Sequence, residues 1–140
     1  RGLGDVYKRQ TMGYSVPCGV GAKMAAPDRE VVVVCGDGSF QMQMMELATI
    51  MQEGIAVKMI IMRNNRLGMV RELQTKNYED HQIAVHLDGS PDFVALARSY
   101  GIEADRVVTM AEAEEKIDKL VNSDKPYLLE CNVYKLESTL

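Results

Sequence analysis

Paired cysteines, a third histidine at metal spacing, a long apolar run and an excess of basic residues are all missing from this sequence. Cys18, Cys35 and Cys131 are odd in number and far apart, with no CxxC pair, so neither a disulfide framework nor a zinc site is predicted. A reducing, cytoplasmic setting follows, and each thiol reads as a small buried hydrophobe in place of a nucleophile. With only His81 and His86 available, surface or packing roles suit both histidines. No apolar run approaches the roughly 20 residues of a membrane helix, so no membrane partner is expected. The 16 basic residues are outnumbered by 20 acidic ones and form no stripe, which argues against nucleic acid as a partner.

What is present is the material of one domain. The 140 residues are 46% apolar and carry 11 glycines against 4 prolines, the profile of a compact soluble protein and not of a disordered chain. Residues 1–10, RGLGDVYKRQ, show no capped periodic pattern and join abruptly to a Gly-rich stretch; they read as a non-native leader with no functional weight.

From Thr11, small residues at Gly19, Ala22, Ala25 and Ala26 predict a helix packed closely on a sheet and ended before Pro27. Glu30 to Cys35 (EVVVVC) reads as a central strand buried on both faces. Gly36-Asp37-Gly38-Ser39 breaks it, and Met44, Leu47, Ala48 and Met51 then mark the apolar face of an amphipathic helix ending near Gly54. Val57 to Met62 supplies the next strand before the polar break Arg63-Asn64-Asn65-Arg66, completing a βαβ unit. Downstream, the pattern predicts a short helix over 67–74, an irregular covering loop over 75–88, and a helix with Ser90 as N-cap and Phe93, Leu96, Ala97 and Tyr100 inward. A capping box at Thr109 and Glu112 opens a helix through Val121, and Tyr127 to Val133 forms a last strand. The fold class is α/β: a doubly wound, mostly parallel sheet with helices on both faces.

The two turns, 36–39 and 63–66, follow neighbouring strands of one βαβ unit and so lie side by side at the sheet edge where ligands bind. Gly36 and Gly38 admit close approach of an anion to the backbone, and the next helix offers unpaired N–H groups. A helix dipole contributes only about 0.3 to 2 kcal/mol, too little to hold a polyanion beside the Asp37 carboxylate. A divalent cation resolves the conflict, since Asp37, the Asn64 amide oxygen and backbone carbonyls make a hard oxygen set suited to Mg²⁺ or Ca²⁺.

The run GDGSF at 36–40 followed after an interval by Asn64-Asn65 resembles the GDG…NN motif of thiamine-diphosphate enzymes. The surrounding TMGYSVPCGVGAK, QMMELATIMQEGIAVKMIIM and NNRLGMVRELQ are similar to the acetolactate synthase large subunit, from Thr11 to about Val133. The resemblance makes residues 11–140 the C-terminal part of a thiamine-diphosphate-binding domain within a larger enzyme. That enzyme would decarboxylate pyruvate and join the remaining unit to a second 2-keto acid, toward branched-chain amino acids. It implies metal binding by Asp37, Asn64 and the Arg66 backbone carbonyl, with cofactor contacts at Met12, Gly36, Asp37, Gly38, Ser39, Asn64, Leu67, Gly68 and Met69. Matching Gly68 sets the family's Asn-Asn pair on Arg63-Asn64, so Asn65 is the additional Asn. Met12 would wedge the cofactor into its bent shape, and the carbonyl receiving its amino group would fall at Gln10. The resemblance places the activating glutamate in the N-terminal domain of a neighbouring subunit, so no catalytic residue is expected in this chain. FAD, a homodimer or tetramer and a small regulatory subunit are implied only for the full-length enzyme. Leu73 stands where herbicide-sensitive members carry Trp.

Blander readings accompany several residues. Met12, Met44 and Met69 could be ordinary core filling, and Glu46, Glu72 and Glu79 read as solvated helix-surface residues, not general acids. Two other functions are kept open: another thiamine-diphosphate 2-keto acid decarboxylase or oxidase, and a non-catalytic phosphate-binding module. The second lacks both GxGxxG and GxxxxGK[ST].

Overall fold

A computed structural model describes residues 11–136; the leader expected over 1–10 and the role expected of Gln10 lie outside the described residues. The chain runs α1 (Ser15–Ala25), β1 (Val32–Gly36), α2 (Asp37–Gln41), α3 (Glu46–Gln52), β2 (Lys58–Arg63), α4 (Gly68–Asn77), α5 (Phe93–Ser99), β3 (Glu103–Val107), a 3₁₀ turn (Met110–Glu112), α6 (Ala113–Asn122) and β4 (Tyr127–Asn132). The four strands form a wholly parallel sheet in the order β1-β2-β4-β3.

Side-chain alternation along the strands sends two apolar sets to opposite faces. On one face Val33, Cys35, Met59, Ile61, Ala104 and Leu128 meet Val16 and Val20 of α1, Phe40, Leu47 and Ile50 of α2 and α3, and Phe93 and Ala97 of α5. On the other, Val107, Tyr127 and Leu129 meet Leu120 of α6. Helices therefore cover both faces, as a doubly wound sheet requires. Gly19 is where α1 comes nearest to β1: a Cβ there would sit 2.1 Å from Val33 Cγ2, so the close contact foreshadowed by the small residues of α1 is real.

Several local expectations are corrected. Within the described sheet β1 is an edge strand, not a central one, and Val32 (44% exposed) and Val34 (59%) leave its second face open because α6 covers only β4 and β3. The buried face of α3 is Leu47 and Ile50; Ala48 and Met51 point outward, because the 42–45 turn between α2 and α3 breaks the single helix phase assumed from the sequence. Asp92, not Ser90, caps α5, its carboxylate accepting the Ala95 N–H at 3.0 Å. The Thr109–Glu112 capping box is present but opens the 3₁₀ turn before α6. Strand β3 was not foreseen at all, since Glu103, Asp105 and Arg106 hide its period. Two of these three charges are matched by partners outside the strand: Arg106 by Glu130 and Asp92, Asp105 by Lys119 and Arg98.

Candidate functional site

β1 and β2 are in register with Gly36 opposite Met62, so the chain leaves both strands at the same level of the sheet's C-terminal edge. Asp37 stands at the first position of α2 and is 1% exposed. Its Oδ1 accepts the Gly38 N–H at 3.0 Å, and its Oδ2 accepts the Asn65 N–H from the other loop at 2.7 Å. Burial pushes its carboxyl above the ordinary carboxylate range, opposed by the Asn65 and Gly38 N–H donors and by the nearby positive charge of Arg63.

The second loop is held from both sides. Asn64 Oδ1 accepts the Arg66 N–H at 2.9 Å, and Asn65 adopts φ +54°, with its Oδ1 accepting Arg63 Nε at 2.9 Å. A return segment then runs antiparallel beside it. Leu67 N–H donates to Val85 O and Leu87 N–H to Asn65 O, both at 2.9 Å, and Arg66 Nη1 lies 2.9 Å from His86 Nδ1. On the opposite side Gly13 N–H donates to Ser39 Oγ at 3.0 Å, bringing Met12 over the first loop. A Cβ on Gly38 would fall 2.6 Å from Leu67 Cδ2, 3.0 Å from Met12 Cε and 3.2 Å from Leu87 Cδ1, so only glycine lets these three side chains close on the backbone.

The structure thus brings together Met12, Gly36, Asp37, Gly38, Ser39, Asn64 and Leu67, with Gly68 opening α4 beside them. Met69 and Met12 are 39% and 40% exposed and are not core filling, whereas Met44 is half-buried against the core. α4 is turned inside out relative to a surface helix: Met69, Val70 and Leu73 are exposed while Glu72 is 5% exposed beside Arg71. Glu72 is therefore not the solvated surface residue expected from the sequence. The N-terminal positive end expected after the GDG turn is weak, because α2 has only five residues.

Among the described residues no group of three or more His, Cys, Asp or Glu could hold a metal. One carboxylate, one amide oxygen and backbone carbonyls remain, a hard donor set that fits Mg²⁺ only when a ligand adds oxygens of its own. A buried carboxylate that touches N–H groups but, among the described residues, no cationic side chain is consistent with that chemistry.

Arg63 and Glu130 were missed. Glu130, 1% exposed, pairs with Arg63 at 3.3 Å and with Arg106 at 2.7 Å at the rim of a polar cleft of about 520 Å³. A lone acid inside the apolar run YLLEC was the signal available.

Residues 6–131 match the family described as thiamine pyrophosphate enzyme, C-terminal TPP binding domain; thiamine pyrophosphate is thiamine diphosphate. The chain is 46% identical over 120 residues to a probable acetolactate synthase large subunit of Methanocaldococcus jannaschii, covering 86% of this chain and 20% of that protein. It is 38% identical over 128 residues to the acetolactate synthase isozyme 2 large subunit of Escherichia coli, covering 91% and 23%. Among solved structures, the thiamine diphosphate-dependent 4-hydroxybenzoylformate decarboxylase of Rhodococcus jostii RHA1 superposes with TM-score 0.82 at 29% identity, over 90% of this chain and 24% of that one. The chain spans about a fifth of the length of the curated relatives it matches.

Proposed function

The chain belongs to the thiamine pyrophosphate enzyme family through its C-terminal TPP-binding domain, and from that premise we propose that it is the diphosphate- and Mg²⁺-gripping part of an acetolactate synthase. The observation that carries the reading is the buried Asp37 carboxylate, whose 2.7 Å bond to Asn65 N–H joins the GDGS turn to the Asn-bearing loop. Asp37, Asn64 and the Arg66 carbonyl would hold the metal. Gly36, Gly38 and Ser39 would line the diphosphate, and Met12, Leu67, Gly68 and Met69 would flank the rest of the cofactor.

When bound, thiamine diphosphate supplies an electron sink for the carbanion left by decarboxylation of a 2-keto acid. The residues of this chain bind and orient it. Leu67, Met12 and Leu87, closing on Gly38, exclude water from the diphosphate. By the family resemblance, the activating glutamate is assigned to the N-terminal domain of a neighbouring subunit. Pyruvate and a second 2-keto acid are the proposed substrates; FAD, a homodimer or tetramer and a small regulatory subunit are proposed for the full-length enzyme only. Three free thiols support a reducing, cytoplasmic setting.

Calorimetric titration of thiamine diphosphate into the chain, with Mg²⁺ and then with EDTA, tests the reading. Strictly metal-dependent binding, preferred over nucleotides, is expected. Binding indifferent to EDTA, or a preference for nucleotides, would favour a simple phosphate-binding module. The fold shared with a 4-hydroxybenzoylformate decarboxylase supports a second reading, a thiamine-diphosphate 2-keto acid decarboxylase of other substrate range.

A further inference from the structure

We propose that Arg63 is a positioning residue that sets the geometry of the metal-holding loop through the side chain of Asn65; the inference rests on the reading of that loop as the metal site. Asn65 occupies the left-handed region at φ +54°, a conformation that a non-glycine residue keeps only when its surroundings fix it. Its backbone N–H is held by Asp37 and its carbonyl by Leu87, while its side-chain oxygen is held by Arg63 Nε at 2.9 Å. The residues to either side, Asn64 and Arg66, are the proposed metal-binding positions, so the twist at Asn65 decides where their oxygens stand.

Arg63 can impose this twist because the rest of its guanidinium is anchored. Nη1 lies 3.3 Å from both oxygens of Glu130 and 3.3 Å from Pro91 O, Nη2 lies 3.5 Å from Ser90 O, and the group stacks 5.2 Å over the Phe93 ring. Glu130 is itself fixed by Arg106 Nε at 2.7 Å. A planar fork with five donors serves Glu130 with one edge while Nε reaches Asn65; a lysine ammonium on a single stem cannot reproduce this division. The arm therefore ties β4 and α5 to the loop between β2 and α4. Where the family resemblance leads one to expect Asn, this chain carries Arg63 together with the additional Asn65, and the two residues form one hydrogen-bonded unit.

Arg63→Lys, Asn65→Gly and the double variant, made in the full chain, test the proposal. Lysine keeps a cation for Glu130, and glycine keeps the left-handed backbone while removing the acceptor, so the fold is preserved in at least the second. In the absence of any ligand, each single variant is expected to speed amide hydrogen exchange at Asn65 and Arg66 by about tenfold. The Leu67 amide, bonded to Val85 O, should stay as in wild type. In calorimetry, the dissociation constant for thiamine diphosphate with Mg²⁺ should rise by about tenfold in each. The double variant should match the singles, because both remove the same contact. Exchange at residues 65 and 66 unchanged in Asn65→Gly, or additive effects in the double variant, would overturn the positioning role. Absence of metal-dependent binding by the wild type would instead overturn the proposed function, and the exchange measurement would still decide the role of Arg63.

Discussion

The two ends of β2 carry a cation each, and they are built for different purposes. At the N-terminal end Lys58 is 0% exposed and its ammonium donates to the carbonyl oxygens of Ser123 and Lys125, closing the turn between α6 and β4. Burial lowers its pKa, partly offset by Glu30. Both hydrogen-bond partners found there are uncharged backbone oxygens. At the C-terminal end Arg63 is partly exposed, pairs with a carboxylate, and borders a loop whose neighbour Asp37 is a buried acid with no salt bridge among the described residues. One end is closed by backbone oxygens; the other holds the buried carboxylate that the proposed function assigns to a metal ion. A parallel sheet permits this asymmetry, because its strand ends of one kind all lie on one edge.

The largest effect is expected from Asp37→Asn, which removes the carboxylate charge with little change of shape. Metal-dependent affinity for thiamine diphosphate should fall on the order of a hundredfold or more. The ligand-free melting temperature at neutral pH should fall only modestly, because the amide nitrogen replaces one of the two oxygens that accept the Gly38 and Asn65 N–H groups while relief of the buried charge offsets part of that loss. The pH dependence has a defined sign. A carboxyl whose folded pKa is raised contributes stability that is present below its unfolded value and lost as pH rises through the folded one. Acidification from neutral pH should therefore improve the stability of the ligand-free wild type relative to Asp37→Asn, measured by urea unfolding across the carboxylate range. A widening gap in favour of the variant on acidification would refute the burial account.

Lys58→Ala should do the reverse, costing about 3 kcal/mol of folding stability by leaving two buried carbonyls without their donor. Affinity for thiamine diphosphate per folded molecule should not change. Denaturant melts and the same calorimetry would check both halves. A loss of affinity without loss of stability would erase the contrast between the two ends of β2.

The sequence revealed the C-terminal end of β2 better than the N-terminal one, for physical reasons. The GDGS and Asn-rich turns are local: glycines, a carboxylate and amides between apolar runs name a ligand edge without knowledge of distant partners. Lys58 is different, because its partners lie 65 and 67 residues away and nothing nearby announces that a lysine in VKMIIM will be buried. Glu130 and Arg63, 67 residues apart, were hidden in the same way. β3 failed for a related reason, since Asp105 and Arg106 look like a solvated segment until Lys119, Arg98, Glu130 and Asp92 are brought beside them. β1 was recognisable as a strand from EVVVVC, but an apolar run does not say which of its faces is covered, and Val32 and Val34 are not.

Gly38→Ala should sharpen the picture of the site end with an intermediate effect. Its methyl would meet Leu67 at 2.6 Å, closer than side-chain carbons approach one another. The Leu67 tip can yield, so the expected cost is about 1 to 3 kcal/mol, accompanied by weaker cofactor binding as the cluster of Leu67, Met12 and Leu87 opens. Gly21, whose Cβ would meet nothing within 4 Å, provides the control. Gly21→Ala in the interior of α1 should raise stability slightly, and equal melting temperatures for the two alanine variants would show that the crowding at Gly38 has no energetic weight.

The smallest effect is expected from Glu112→Gln, at the same edge of the sheet but away from the loops. Lys116 and the Val108 and Thr109 N–H groups hold the Glu112 carboxyl at about 2. A depressed folded pKa contributes stability above the unfolded carboxylate range and loses it as pH falls through that range toward about 2. Wild type should thus lose its advantage over Glu112→Gln on acidification, the opposite slope to the Asp37 comparison, and added salt should shrink it because the Lys116 pair is exposed. Glu112 caps a helix start without touching the 63–66 loop proposed to hold the metal, so affinity for thiamine diphosphate should be untouched. Two carboxylates on one edge would then respond to acid with opposite signs, one because its charge is answered by Lys116 and two N–H groups and the other because burial disfavours its charge.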